Sequence, residues 1–297
     1  MAKALKGPIH SGHMEYKLLK SESIKTIYNC FLEAFSDYTV DMQLPFEKFQ
    51  RMITRNNVNL KYSIGLYHKD TLTGFILNGV GTWNGVPTVY DSGTGIIKEF
   101  RGKNYSTVML QKVKQYIQKD FQQYLLEVIQ TNTPAFTLYN NQGFNIQREL
   151  ACFYADKAKI NTKSNPDIAV NPLALEWDIL QSFWNFRPSW QNSIPAVERM
   201  SEYFEALGAF IHKTCVGYVL FDPVSGEIIH IAVKKNMRRK NIGSHLLSVI
   251  SDKTKSKTLR IVNVDKNDHD TMHFFKDNNF VNDVNQYEMI LPLNPND

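Results

Sequence analysis

Two basic, loop-like segments, each opening a helix, stand 137 positions apart: Arg101-Gly102-Lys103-Asn104-Tyr105-Ser106 and Arg238-Arg239-Lys240-Asn241-Ile242-Gly243-Ser244. This recurrence constrains the fold more than any other feature, because a motif repeated in matching context means one supersecondary unit used twice. Downstream, Asn132, Tyr139 and Gly143-Phe144 are echoed by Asp268, Phe275 and Asn279-Phe280, with 12 positions from first to last in both. A chain of 297 residues has room for two domains of roughly 100–200 residues each.

Around the repeated segments, hydrophobic periodicity predicts the same order of elements in each half. In the first, a short strand over Glu15–Lys20 precedes a helix with Ile24, Ile27, Phe31 and Phe35 on one face and Ser23 as N-cap. A helix from Pro45 follows, then strands over Leu60–Tyr67, Gly74–Val80 and Thr88–Ile97, a helix over Tyr105–Gln118, a strand over Tyr124–Ile129 and a helix over Pro134–Asn141. The second half reads as strands within Ala209–Phe221 and over Glu227–Val233, a helix over Ile242–Lys253, a strand over Leu259–Val264 and a helix over Asp270–Asp277. Strands alternating with helices imply an α/β mixed sheet with one parallel crossover per half. The polar, Asn-Pro-containing stretch 158–172 reads as the linker. The expected organisation is therefore a domain over 15–157 and a second over 173–297. Residues 1–14 read as an expression-tag remnant.

Composition narrows the function classes. The net charge of +5 falls to +3 without the tag's Lys3 and Lys6, too little to argue for nucleic acid. Three widely spaced cysteines, Cys30, Cys152 and Cys215, suit a reduced cytoplasmic protein and offer no metal site. No apolar run approaches the roughly 18 residues of a membrane span. His269 and His273 lack the acidic partner pattern of a zinc helix. No nucleic-acid or membrane partner is expected, and the chain is expected to be a monomer or homodimer.

A strand running into a short basic loop and then a helix collects backbone N–H groups and the positive end of a helix dipole around an anion, pyrophosphate being the obvious one. In both loops Asn holds the first tight position, Asn104 and Asn241, and Asn tolerates a left-handed conformation better than other residues with side chains. The alternative is a solvated basic turn. Glu127, inside a strand between Leu126 and Val128, is either a base with a raised pKa or an ion-paired strand residue. Asp91 begins Asp-Ser-Gly, which is also a turn or bulge signature. The aromatic stretch containing Trp177, Phe183, Trp184, Phe186 and Trp190 walls an acceptor pocket, meets the other domain, or simply packs.

Ile96-Ile97 followed by the Arg101–Ser106 loop, Leu126-Glu127-Val128, Asn132, Leu138-Tyr139 and Gly143-Phe144 resembles the GNAT superfamily of N-acetyltransferases. Ile231-Ala232-Val233, the Arg238–Gly243 loop, Leu246-Leu247 and Phe274-Phe275 with Phe280 resemble it again. Together with Asp91–Gly95 and Pro188–Ser193, the pattern is similar to a bacterial subgroup with two tandem GNAT-like domains. The resemblance implies acetyl-CoA as cosubstrate and no metal, with pyrophosphate on loop residues Arg101, Gly102, Lys103, Asn104, Tyr105 and Ser106, or on Arg238, Arg239, Lys240, Asn241, Ile242, Gly243 and Ser244. Asn132 joins the cofactor site. Ile96, Ile97, Ala232 and Val233 would offer a strand edge to the pantetheine arm. Tyr139 matches the general-acid tyrosine, with Glu127 or Asp91 as base, whereas Phe275 has no proton to give. Ser106 stands where Gly243 stands in the second half, so the first half has the better acid and the second the better cradle. The implied activity is acetyl transfer to a primary amine of a small-molecule or peptide acceptor, catalysed in the N-terminal domain; a non-catalytic acyl-CoA-binding scaffold is the alternative.

Overall fold

The computed structural model describes residues 13–38, 40–161 and 163–293, so most of the tag-like segment lies outside it. Its contacts separate two compact units. The first comprises the described residues through Ile53, with Asn57–Tyr124 and the two described residues from Pro292; the second comprises Thr54–Asn56 and Leu125–Leu291.

The first unit contains β1 (Met14–Leu18), α1 (Ile24–Ala34), α2 (Phe46–Arg55), β2 (Ile64–His68), β3 (Thr71–Trp83), β4 (Val86–Ile96) and α3 (Tyr105–Ile117). Its strands lie in chain order and are all antiparallel. The expected N-cap forms, Ser23 Oγ accepting the Thr26 N–H at 3.0 Å, and satisfies one of the donors a helix start leaves open. The strand expected from Leu60 begins only at Ile64, because Asn59 caps a single 3₁₀ turn over Leu60–Tyr62. Phe31 of α1 packs between Phe49 of α2 and Phe75 of β3, with ring centres 5.0 and 6.0 Å away.

The remaining elements are β5 (Gln123–Ile129), α4 (Thr133–Asn141), β6 (Asn145–Asp156), β7 (Ala169–Pro172), α5 (Trp177–Leu180), α6 (Ile194–Arg199), β8 (Glu205–Ile211), β9 (Thr214–Phe221), β10 (Glu227–Val233), α7 (Ile242–Lys253), β11 (Thr258–Asp265), α8 (His269–Asp277) and β12 (Val281–Pro292). Their spatial order is β5-β12-β6-β11-β10-β9-β8-β7. The β10–β11 pair is parallel and is bridged by α7. Part of the expected linker is the edge strand β7, antiparallel to β8.

The strands β6 and β12, which follow the repeated Gly-Phe and Asn-Phe pairs, have no counterpart among the expected elements. Strand β6 lies between β11 and β12, antiparallel to both. Packing thus groups the end of the first repeat with the second. Leu246, Leu247 and Ile250 on the apolar face of α7 join Phe153, Phe221, Ile228 and Phe275 in the core of this unit.

Candidate functional site

The two basic loops have matching backbones. Each follows a single 3₁₀ turn, Lys98–Phe100 or Lys235–Met237, and begins extended, at Arg101 (φ −71°, ψ 164°) and Arg238 (φ −67°, ψ 163°). The next residue is left-handed in both, Gly102 at φ 74° and Arg239 at φ 63°. Asn104 (φ 61°, ψ 14°) and Asn241 (φ 61°, ψ 12°) then enter α3 and α7 from the left-handed region without a side-chain capping bond. Left-handed residues at alternate positions form a concave nest of N–H groups, and the uncapped first turn adds its own donors.

The arginines hold these loops from behind. Arg101 donates from Nε to the Ile96 carbonyl (2.8 Å), from Nη2 to the Ala34 carbonyl (2.6 Å), and to both oxygens of Asp37. Arg238 donates from Nε to the Val233 carbonyl (3.1 Å) and from Nη2 to the Phe183 carbonyl (3.0 Å).

In the second unit the loop opens onto a cleft of about 730 Å³. Two residue pairs alone, Glu227–Arg260 and Ile228–Ile261, join β10 to β11. Beyond them the strands part, so Ile229–Val233 and Ile261–Val264 line opposite walls. Arg238, Arg239, Asn241, Ile242, Gly243 and Ser244 line the mouth. A Cβ on Gly243 would meet the Phe274 ring at 2.8 Å, so any other residue there would have to displace that ring. The pairing of β10 with β9 is irregular between Ile228 and His230, and that of β4 with β3 between Asp91 and Gly93. Ile229 and Ser92, the residues skipped, are separated by the same 137 positions as the loops.

A directed chain of hydrogen bonds borders the cleft. Trp184 Nε1 donates to the Tyr218 hydroxyl (2.6 Å), which lies 3.2 Å from His230 Nδ1, and His230 Nε2 lies 2.6 Å from the Asn192 carbonyl. A carbonyl only accepts, so the imidazole proton is on Nε2, and Nδ1 accepts a hydrogen bond from the Tyr218 hydroxyl. Burial pushes the His230 pKa down to about 4, against the hydrogen bond to Asn192, which favours the proton, and with the charge of Arg55 adding to the depression. His230 is therefore neutral, with both nitrogens committed.

The sequence-predicted catalytic residues lie on three different elements, Asp91 on β4, Glu127 on β5 and Tyr139 on α4. Asp91 is buried, its carboxylate accepting from the Gly93 N–H (2.9 Å) and the Thr94 hydroxyl (2.7 Å) at the strand irregularity. Ile96 and Ile97 are buried in the first unit. In the second, Glu127 is half-buried on β5 within the field of Arg148, which is bidentate to Glu288. Asn132 caps α4 through the Ala135 N–H, as Asp268 caps α8 through Thr271. Tyr139 is buried edge-on to Phe144 at 5.6 Å, and Phe275 repeats this against Phe280 at 5.1 Å. Phe183, Trp184 and Phe186 of the aromatic stretch line the cleft, whereas Trp190 is buried with its N–H on the Asn56 carbonyl. Sequence reasoning missed Tyr218, His230 and Asn192 as a connected set; its one signal was a histidine inside the apolar run of β10.

Among the described residues no helix is long and apolar enough to cross a membrane, and no group of three or more His, Cys, Asp or Glu is placed to hold a metal ion.

The model of the acetyltransferase (GNAT) family matches residues 22–144 and again 173–280. No curated protein matches the chain in sequence. Among solved structures, it is similar to a tandem GNAT protein from the clavulanic acid biosynthesis pathway, at 11% identity over 96% of this chain and 100% of that one, with a TM-score of 0.70. It is also similar to GCN5-related N-acetyltransferases from Sphaerobacter thermophilus (13% identity, 95% and 96% covered, TM-score 0.71) and Anabaena variabilis (14% identity, 95% and 73% covered, TM-score 0.59). At these identities the likeness shows the fold.

Proposed function

The chain belongs to the GNAT acetyltransferase family, as two tandem mixed α/β domains, and from that premise we propose an acetyl-CoA-dependent transferase that acetylates a primary amine. One observation carries the reading: the loop nest, the N-terminus of α7 and the parted edges of β10 and β11 meet in a single cleft. A nest at a helix N-terminus suits a pyrophosphate, and a parted strand edge suits an extended arm bearing amides. Arg239, Asn241, Gly243 and Ser244 would hold the phosphates, with Ala232 and Val233 beside the arm. Acetyl-CoA supplies an acyl group activated as a thioester. The boundaries at 157 and 173 are proposed as units of duplication rather than of packing.

Transfer also needs a group to remove the amine proton and one to protonate the leaving thiolate. In the second repeat Phe275 is fully buried and has no proton to give, and His230 has no nitrogen to spare. We therefore assign catalysis to the first repeat, on acetyl-CoA held by its own Arg101–Ser106 loop, with Tyr139 as acid and Glu127 or Asp91 as base, and a holding role to the second. The commitment of the Asp91 carboxylate to its own turn favours a second reading, an acyl-CoA-binding protein without turnover.

Thiol release and the thermal shift caused by acetyl-CoA, measured with a panel of amines on wild type, Arg101→Ala, Arg238→Ala and Tyr139→Phe, test both. The first reading expects a shift that Arg238→Ala diminishes, with release that Tyr139→Phe abolishes. A shift without release for any amine supports the second. Neither shift nor release removes both.

A further inference from the structure

Asn192 occupies the fork where β10 and β11 separate. Its Nδ2 donates to the Val262 carbonyl on β11 (3.2 Å) and its main-chain carbonyl accepts from His230 on β10 (2.6 Å). Its Oδ1 accepts from Arg55 Nη2 (2.6 Å), and Arg55 is in turn paired with buried Glu227 (2.9 Å) and bonded to the Gln191 carbonyl (2.6 Å). Ser189, three residues earlier, accepts from Asn263 Nδ2 at 3.0 Å. Asn192 is thus a fully bonded plug, 3% exposed, that ties both walls of the cleft together.

We propose that Asn192 limits the acyl group admitted to the second-repeat cleft to short chains such as acetyl and propionyl. The inference rests on the reading of that cleft as an acyl-CoA site. A ligand with its phosphates at Arg239–Ser244 and its arm along β10 runs from Val233 toward Ile229, about 13 Å at the usual rise per strand residue. Its acyl end then meets the fork, where Trp184 packs on His230 with ring centres 5.3 Å apart. A two- or three-carbon group ends before the plug. A long apolar chain must either lie against a polar floor or expel Asn192. Expulsion would strand the Val262 carbonyl, the His230 N–H and part of the Arg55 guanidinium, and buried polar groups without partners are costly.

Trp184 lines the cleft and reports on it. Fluorescence titrations with CoA, acetyl-CoA and octanoyl-CoA are made on the full chain for wild type, Asn192→Ser and Asn192→Ala, with Trp184→Phe identifying the part of the signal that belongs to this cleft. Wild type is expected to bind octanoyl-CoA about tenfold or more weakly than acetyl-CoA, a difference of about 1.4 kcal/mol. Either substitution at Asn192 should narrow that ratio severalfold, and the wild-type ratio decides if neither variant folds. Equal binding of the two thioesters by wild type, or an unchanged ratio in the folded variants, overturns the plug while leaving the acyl-CoA site standing. No Trp184-dependent signal with any of the three ligands overturns both.

Discussion

Arg238 is hydrogen-bonded through Nη2 to the carbonyl oxygen of Phe183 at 3.0 Å, joining the loop before α7 to the aromatic segment that walls the cleft. Arg101 bonds Ala34 in the same way, and in each loop Nε takes the carbonyl five residues back. The repeated arginine therefore shapes the nest. Lysine carries the charge but cannot make two directed bonds from one planar group. Arg238→Lys should weaken acetyl-CoA binding about tenfold and lower stability by about 1–2 kcal/mol, measured by calorimetric titration and denaturant melts. Arg101→Lys should cost a similar amount of stability, since it loses the equivalent two carbonyl bonds and the additional Arg101–Asp37 pair is substantially exposed to solvent and adds little.

The left-handed Asn241 makes a second prediction. Glycine adopts this conformation without penalty, whereas alanine has a Cβ and no compensating side-chain polarity. Asn241→Gly should melt at or slightly above the wild-type temperature and keep its ligand. Asn241→Ala should lose about 1 kcal/mol, and Asn104 should show the same contrast in the first repeat.

The buried neutral His230 makes stability depend on pH in a definite direction. Its folded pKa of about 4 lies below the ordinary value of 6.5, so between those limits the unfolded chain binds the extra proton. Stability then rises with pH from about 4 to 6.5 and is lost on acidification through that window. The contribution is on the order of 3 kcal/mol. Melting temperatures between pH 4.5 and 7 should show this slope in wild type and a shallower one in His230→Gln, which can still donate to Asn192 and accept from Tyr218.

Tyr139→Phe removes one hydroxyl and keeps the edge-on ring contact with Phe144. If the hydroxyl is the general acid, turnover should fall about 10²–10⁴-fold with acetyl-CoA binding unchanged. If the ring only packs, turnover should persist and the melting temperature should move little.

The loops were legible because their conformation is local: Gly102, Asn104 and Asn241 announce left-handed positions through residue type alone. Helix α7, Ile242–Lys253, has its expected bounds for the same reason, its apolar face repeating within three turns. Strand β6 was not legible, since Asn145–Glu149 is largely polar and its partners are distant in sequence. The polar floor was hidden too, because Trp184, Tyr218, His230 and Asn192 come from different segments and meet only after folding. The arginines were recognised as part of the loop motif, but their inward bonds depend on carbonyls at Ala34 and Phe183 that no short motif contains.

The position of β6 between β11 and β12 also bears on how the chain is made. Asp156 leaves the ribosome about a hundred residues before Thr258, so at roughly 5–20 residues per second β6 waits some 5–20 s for its first neighbour and longer for the second. Throughout that interval both edges lack the strands they will finally pair with, a condition that invites association with other chains. The segment around Ala151–Ala155 therefore has its final partners on both sides only once the last strand has emerged.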